Sequence, residues 1–561
     1  MYKMYFTQKI LLGFILLTLF YNSSVIAETT PAEVVHGERL FLETRFSEYF
    51  YQFIEDGGDY NQTIDSGDPQ LDKTYHFSSS PPYQIPFVAS PFKDSTFSCR
   101  TCHMVDEHLE QKELGMRTYS DFASRSPLPT RTENKLFTVR NSPILVSSSV
   151  KRENFLLHAD GEFSSLKDLI IGTLTGRNLG WLPHENISAK QHICEVIKHD
   201  DGNSPLAQEF GGFSYGELLS SESKNGKPLP EEYSINKDYR TNIKTASCDE
   251  ILNSVAYLIE EYVNDLQFAQ DDSVISPYDK FLSINKLPRY PDDNETDSAY
   301  SLRLLALIDE REKSNNLKYV HKNDATKDST FLYHDQVYKF TELELQGLKI
   351  FFNQSNNSEI SQGNCIACHP APHFTDFKFH NVGVTQVEYE AIHGINSFNK
   401  LPIPNATERT KLANTYLPAT SVHPDRHGVF RKAASQSKPE HTDLGTWNIL
   451  MNNDYPKPQE KLLNIICPYD DPCDNENIAL QRSIATFKTP TLRNLGHSAP
   501  YMHNGQINDL FAVISFYINI SSNSQRGLIR NSAKELNNMN LNPSETDALV
   551  HFLISLYEDY D

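Results

Sequence analysis

"FSCRTCHMVDEH", residues 97–108, sets two cysteines three positions apart with a histidine directly behind the second, and "CIACH", residues 365–369, repeats the arrangement. At the cysteine and histidine frequencies of this chain, chance would supply roughly 0.004 such patterns, so the pair is not accidental. Three chemistries use this spacing. A zinc ribbon needs two CxxC pairs within about 15–20 residues of each other, and these are more than 260 residues apart. A redox dithiol should follow a strand in a βαβ pattern, and neither copy does. Covalent attachment of a c-type haem remains: the two thiols add across the vinyl groups, and the adjacent histidine becomes the proximal iron ligand. The chain is therefore expected to carry two haem c groups, held by Cys99, Cys102 and His103 and by Cys365, Cys368 and His369.

The flanks of the two motifs read as an internal repeat. Ahead of the second, "TELELQGLKIFF" opens on a capping box, Thr341 and Glu344, and puts Leu345, Leu348 and Phe352 on one helical face. Ahead of the first, "HGERLFLETRF" spaces Gly37 from Phe41 as Gly347 is spaced from Phe351. Each half closes on an amphipathic helix: Ile251, Val255, Leu258, Ile259, Tyr262, Val263 and Leu266 in one, Leu549, Phe552, Leu553, Leu556 and Tyr557 in the other. The expected fold is mainly α, with two cytochrome c-like domains, one haem in each, and long loop insertions. Residues 54–96 read as an extended loop and 200–245 as a polar insertion. The expected boundaries are a signal peptide over 1–27, an N-terminal domain over 28–285, a connector over 286–340 with one helical patch at "SAYSLRLLALIDE", and a C-terminal domain over 341–561.

Lys3 and Lys9 precede an apolar run from Ile10 to Phe20, and "NSSVIA" leads to an expected cut after Ala27. The run is short for a bilayer span, so the expectation is export to the periplasm without stable membrane insertion. Outside the cytoplasm thiols pair, bind metal or are consumed. Of the eight cysteines, Cys467 and Cys473 bracket a turn suited to a local disulfide, and Cys194 with Cys248 would complete the even count. Four cysteines allow three connectivities. Loss of the leader leaves 49 basic against 73 acidic residues, a balance of −24. That argues against nucleic acid and favours steering of a basic electron carrier.

Beyond the motifs, "RNSPILV" (140–146), "DGEFSSLKDL" (160–169), "SPYDKFL" (276–282), "CIACHPAPHFTDFKFHNVGV" (365–384) and "FKTPTLRNLGHSAPYMHNGQINDLFAVISFY" (487–517) resemble the bacterial di-haem cytochrome c peroxidases and their MauG-type relatives. The resemblance implies a peroxidatic haem in the first half and an electron-transfer haem in the second. It implies hydrogen peroxide as substrate and a small donor protein, a cytochrome c or a cupredoxin. In the family the second axial ligand of the electron-transfer haem sits fourteen residues beyond the histidine of the "PYxHxG" turn. Counted from His503, that position is Tyr517. Classical members have methionine there and MauG-type members tyrosine; Met502 is the rival ligand. His373, His380 and His497 are read as hydrogen-bonding residues around propionates or turns, and His503 as structural.

The resemblance also implies a calcium ion between the haems, held by the Asn141 side chain and the carbonyls of Ser498 and Pro500, oxygen donors that suit calcium. It breaks down at the distal site. Leu169 and Leu179 stand where the family has a glutamine and a glutamate, leaving Glu185, His184 and Glu162 as candidates for the acid that moves a proton during peroxide cleavage. His158-Ala159-Asp160-Gly161 replaces the family's "FWDG", so the inter-haem tryptophan is absent, with Trp181 as its candidate substitute. Three functions follow: a peroxidase, a MauG-type oxidase of a protein side chain, and an electron-transfer protein without peroxide chemistry.

Overall fold

The computed structural model describes residues 30–62, 64, 96–103, 128–129, 131–133, 135, 137–268, 275–321, 337–354, 362–493, 495, 499–536 and 539–558. The expected signal peptide and most of the 54–96 loop lie outside these residues.

Two crossed helix pairs anchor the molecule, and both depend on glycine. In the first half, α1 (Ala32–Phe41) lies against α2 (Cys248–Asp265). A Cβ at Gly37 would stand 2.0 Å from the Leu258 carbonyl oxygen and 2.8 Å from Tyr262 Cβ, so the helices meet at a distance only glycine permits. Phe41 then packs on Tyr262 at a ring separation of 5.1 Å. In the second half, α4 (Glu342–Phe352) crosses α6 (Pro543–Ile554) in the same way. A Cβ at Gly347 would stand 2.0 Å from the Ala548 carbonyl oxygen and 2.7 Å from Phe552 Cβ, and Phe351 packs on Phe552 at 5.2 Å. The start of α4 is set by the expected capping box, with Glu344 accepting from the Thr341 amide and hydroxyl.

Around each crossing grows one apolar core. The first gathers Phe41, Phe46, Phe50, Ile193, Leu258 and Tyr262 with others; the second gathers Tyr278, Phe281, Leu348, Phe351, Phe374 and Phe552. The change of core falls between Leu266 and Tyr278. The stretch 286–340, expected as a connector, supplies Leu287, Tyr300, Leu304, Ile308, Val320, Tyr338 and Phe340 to the second core. Its helix α3 (Asp297–Lys313) buries Tyr300, Leu304 and Ile308 at i, i+4 and i+8 and leaves Leu302 exposed among charged residues, a stripe narrow enough to read as polar. The 200–245 insertion likewise folds in: Tyr215, Leu218, Leu219, Leu229 and Ile235 are buried in the first core.

Residues 384–485 form a further layer around Phe398, Phe430, Leu444, Trp447, Leu450 and Leu462. This layer clasps the first half. Lys461 Nζ reaches the carbonyls of Phe155 and Ser164, and Lys457 pairs with Asp168 at 2.8 Å. Among the described residues the one sheet joins β1 (Phe379–His380) to β2 (Phe487–Lys488), antiparallel, so the fold is mainly α. Among them no helix is long and apolar enough to cross a membrane.

The four cysteines outside the motifs are bonded as Cys194–Cys248 and Cys467–Cys473, while Cys99, Cys102, Cys365 and Cys368 form no disulfide.

Candidate haem-binding site

Each motif folds into the same short turn. In the first, the amides of Cys102 and His103 both donate to the Cys99 carbonyl, at 3.1 and 3.0 Å; in the second, those of Cys368 and His369 donate to the Cys365 carbonyl, at 3.2 and 2.8 Å. The turn puts both thiols and the imidazole of a motif together. His103 Nδ1 lies 3.1 Å from the Pro143 carbonyl, and His369 Nδ1 lies 2.8 Å from the Phe374 carbonyl. A carbonyl can only accept, so at His103 the proton sits on Nδ1 and Nε2 keeps its lone pair, while His369 has the Pro490 carbonyl as a second backbone partner. Burial pushes His103 down to about 4 and lowers His369 as well, which keeps both rings neutral. Burial also pushes the Cys99 and Cys365 thiols up to about 12, far from the thiolate character of a zinc site or a redox dithiol. A pair of thiols beside an imidazole whose Nδ1 is held by a backbone carbonyl is the donor set that covalent haem attachment needs. The residues fit the group at both motifs.

Tyr517 lies on α5 (Leu510–Gln525), beside the second motif. Burial raises its phenol above the ordinary value, and the Cys368 and Cys365 thiols add to the rise, which puts the ring within their electrostatic reach. Met502 sits at φ 73° in the turn closed by the Tyr501 and Ile507 bridge. The next residue, His503, stacks on Phe487 at 3.6 Å and offers its carbonyl to the Asn141 amide at 2.7 Å. Two of the residues expected at calcium bond to each other, Asn141 Nδ2 donating to the Pro500 carbonyl at 2.6 Å, while Asn141 Oδ1 accepts from the Ser142 amide at 3.0 Å. Ser498 lies outside the described residues, as does His497.

The three distal candidates separate. Glu185 accepts from Arg131 at 2.6 Å and from the Leu182 amide at 2.7 Å, a structural cap. His184 is exposed. Glu162 belongs to a charged network: its Oε2 accepts from Arg431 at 2.5 Å, and His158 Nδ1 lies 3.1 Å from the same oxygen. Burial alone would raise the Glu162 carboxyl, but Arg431 and His158 outweigh it and hold it low. The charge of His158 in turn acts on His103, so this network borders the first motif. Arg431 also pairs with Asp160 at 3.1 Å, and Arg140 bridges Asp160 and Asp443, each at 2.7 Å. Arg140, Asp160, Arg431 and Asp443 were not singled out from the sequence. Arg431 stands in "GVFRKAA", which carries no motif.

Trp181 is 1% exposed inside the first core, donating to the Phe46 carbonyl at 3.2 Å and packing on Tyr51 and His192. It does not take the place vacated in "HADG". At that seam Ala159 accepts from the Lys488 amide at 2.8 Å, and a Cβ at Gly161 would meet Leu462 and Phe379 within 3 Å. Of the remaining histidines, His380 is bound to Asp376 at 2.8 Å and the His373 carbonyl accepts from the Thr491 hydroxyl at 2.7 Å.

No family model matches the chain. Two cytochrome-c peroxidases named IdrP2 are similar in sequence. That of Denitromonas iodatirespirans is 29% identical over 216 residues, covering 38% of this chain and 42% of the relative. That of Pseudomonas sp. (strain SCT) is 37% identical over 79 residues, covering 14% of this chain and 19% of the relative. The match thus spans less than half the length of either relative. Among solved structures, the diheme peroxidase BthA from Burkholderia thailandensis aligns at a TM-score of 0.43 and 14% identity, over 95% of this chain and 88% of that one. A MauG-like protein associated with microbial copper homeostasis aligns at 0.41 and 13%, over 95% and 92%. The likeness in sequence to the two cytochrome-c peroxidases, together with the paired attachment turns, fits the di-haem cytochrome c peroxidase and MauG-type family.

Proposed function

We propose that the protein is an exported di-haem c-type peroxidase that reduces hydrogen peroxide to water with electrons from a small redox protein, a cytochrome c or a cupredoxin. The observation that carries this reading is the duplicated turn: two half-buried imidazoles, each held at Nδ1 by a backbone carbonyl and each beside a pair of cysteines outside the two disulfides that join the other four. When bound, the haem groups supply the redox chemistry of O–O cleavage and electron storage.

The chain's own residues divide the labour. His103 and His369 would hold the two haem irons, and the carbonyls of Pro143 and Phe374 orient their rings. Tyr517, close to Cys365 and Cys368, would be a further ligand of the second haem, and the first would serve the substrate. Glu162, with His158 against it, is the carboxylate best sited to take and return a proton at the first centre, because His158 is the group whose charge reaches His103. A calcium ion joining the two halves would take the Asn141 side-chain oxygen and the Pro500 carbonyl in place of their present hydrogen bond. Two disulfides suit the periplasm, and a charge of −22 over the whole chain suits a basic donor.

A second reading, a MauG-type oxidase acting on a protein side chain, draws on the closeness of Tyr517 to Cys365 and Cys368. Purified protein should show the mass of two covalently added haems, and one equivalent of peroxide should alter the optical and paramagnetic resonance spectra of one haem. Turnover with reduced cytochrome c supports the peroxidase; spectral reaction without such turnover supports the oxidase. Two fully ligated haems inert to peroxide would leave only electron transfer and defeat both.

A further inference from the structure

Near the second motif the structure half-buries two positive charges with no carboxylate paired to either among the described residues. The strand 487–491 runs along 375–380: the Thr489 amide donates to the Lys378 carbonyl at 2.8 Å, the Thr375 hydroxyl to the Thr489 carbonyl at 2.8 Å, and the Pro490 carbonyl reaches His369. This places Lys488 beside the His369 turn. No carboxylate or carbonyl pairs with its ammonium group among the described residues, and burial followed by the charge of Arg152 pushes it down to about 7.

Arg152 comes from the other half of the chain. It crosses the seam to lie 4.1 Å over the Phe377 ring, four residues before which stands His373. Its Nη atoms donate to the Val150 and Leu156 carbonyls, both at 2.8 Å, and its buried Nε has no partner. Burial lowers Arg152 too, with no acid opposing the shift. The contrast with Arg493 is instructive, since that guanidinium is more deeply buried and is met by Asp279. Two half-buried cations within electrostatic reach of each other are unfavourable unless an anion completes the site. The anion must be compact, acceptor-only and able to take donors from two directions, which describes a carboxylate.

We propose that Lys488 and Arg152, one from each half, seat the propionate carboxylates of the haem attached at Cys365 and Cys368. The proposal rests on the di-haem reading. It makes that haem a cross-brace: its covalent bonds lie in the second half and one of its charge partners in the first. A cation beside a propionate also withdraws negative charge from the iron's surroundings, so the same two side chains tune the potential of this haem.

The test uses the holoprotein. Lys488→Gln and Arg152→Gln should each lower the midpoint potential of the His369 haem and shift its propionate bending bands in resonance Raman spectra, with both haems still attached. Lys488→Arg should restore both readouts. If both glutamine variants carry two haems and match the parent in potential and Raman bands, the seat holds no propionate and the proposal is overturned. It is equally overturned if the parent's potential follows added inorganic phosphate, which would assign the cations to a free anion. Fewer than two haems in the parent chain would instead defeat the di-haem reading, which mass analysis reports separately.

Discussion

Tyr517 is the side chain with the greatest leverage on the second centre, because an anionic phenolate opposite the imidazole favours oxidised iron whereas a thioether favours reduced iron. Tyr517→Met is therefore expected to raise the midpoint potential of the His369 haem by a sizeable part of the roughly 0.8 V that axial ligands span. Spectroelectrochemistry measures it, and an unchanged potential would remove Tyr517 from the iron. Glu162 has a different kind of leverage. If it moves the proton during peroxide cleavage, Glu162→Gln should cut kcat by roughly 10²–10⁴-fold while the peroxide KM changes little. A loss in KM alone would reduce Glu162 to a partner of Arg431. The two residues also differ in how readable they were. Tyr517 could be counted from His503 along one chain segment, but Arg431 lies 269 residues from Glu162 and 271 from Asp160 in sequence. A charge pair assembled over such a separation leaves no periodic or local signal, so the acid was a candidate and its partner was invisible.

The helix crossings show what element-scale patterning does and does not reveal. The shared spacing of Gly37 with Phe41 and of Gly347 with Phe351 announced the repeat, and the structure uses each glycine to let one helix touch the backbone of another. Gly37→Ala and Gly347→Ala should each destabilise the protein by about 1–3 kcal/mol, the usual range for overpacking, read as a lowered denaturant midpoint with haem content retained. A neutral result at either site would mean the helices can separate freely there. Patterning misled where burial is narrow or cooperative. The stripe Tyr300, Leu304, Ile308 covers one thin face of α3, and the short helices around Tyr215 and Leu218 bury their apolar residues only once α1 and α2 are in place. Neither segment has enough local amphipathicity to betray its place in a core.

At the scale of the whole molecule, both halves and the seam are pinned by buried carboxylates held against arginines. In the first half Arg45 clamps Glu43 through two contacts, at 2.8 and 2.6 Å, and also meets Asp200, which Arg39 holds at 2.9 Å. In the second, Arg493 holds Asp279; at the seam, Arg140 holds Asp443 and Arg431 holds Glu162. Burial on its own would raise each carboxyl, yet the arginines win: Glu43 is brought down to about 2, and Asp279, Asp443 and Glu162 are lowered in the same direction. A carboxyl whose folded value is depressed contributes stability that is complete above its unfolded value, near 4.5 for Glu43, and is lost as pH falls towards the folded one. For Glu43 alone the difference corresponds to roughly 3 kcal/mol. The denaturant midpoint should accordingly change little between about pH 7 and 5 on account of these groups, then fall steeply between about 4.5 and 2. Glu43→Gln isolates one contribution. It lowers stability at neutral pH, because Arg45 keeps only Asp200 as a charged partner, and it flattens the acid limb, because one proton uptake has been removed. An acid limb as steep in Glu43→Gln as in the parent would show that this clamp is not what links protonation to unfolding. A flattened limb with loss of the first core alone, detected through Trp181 fluorescence while the second haem's spectrum persists, would show that the two halves yield to acid separately.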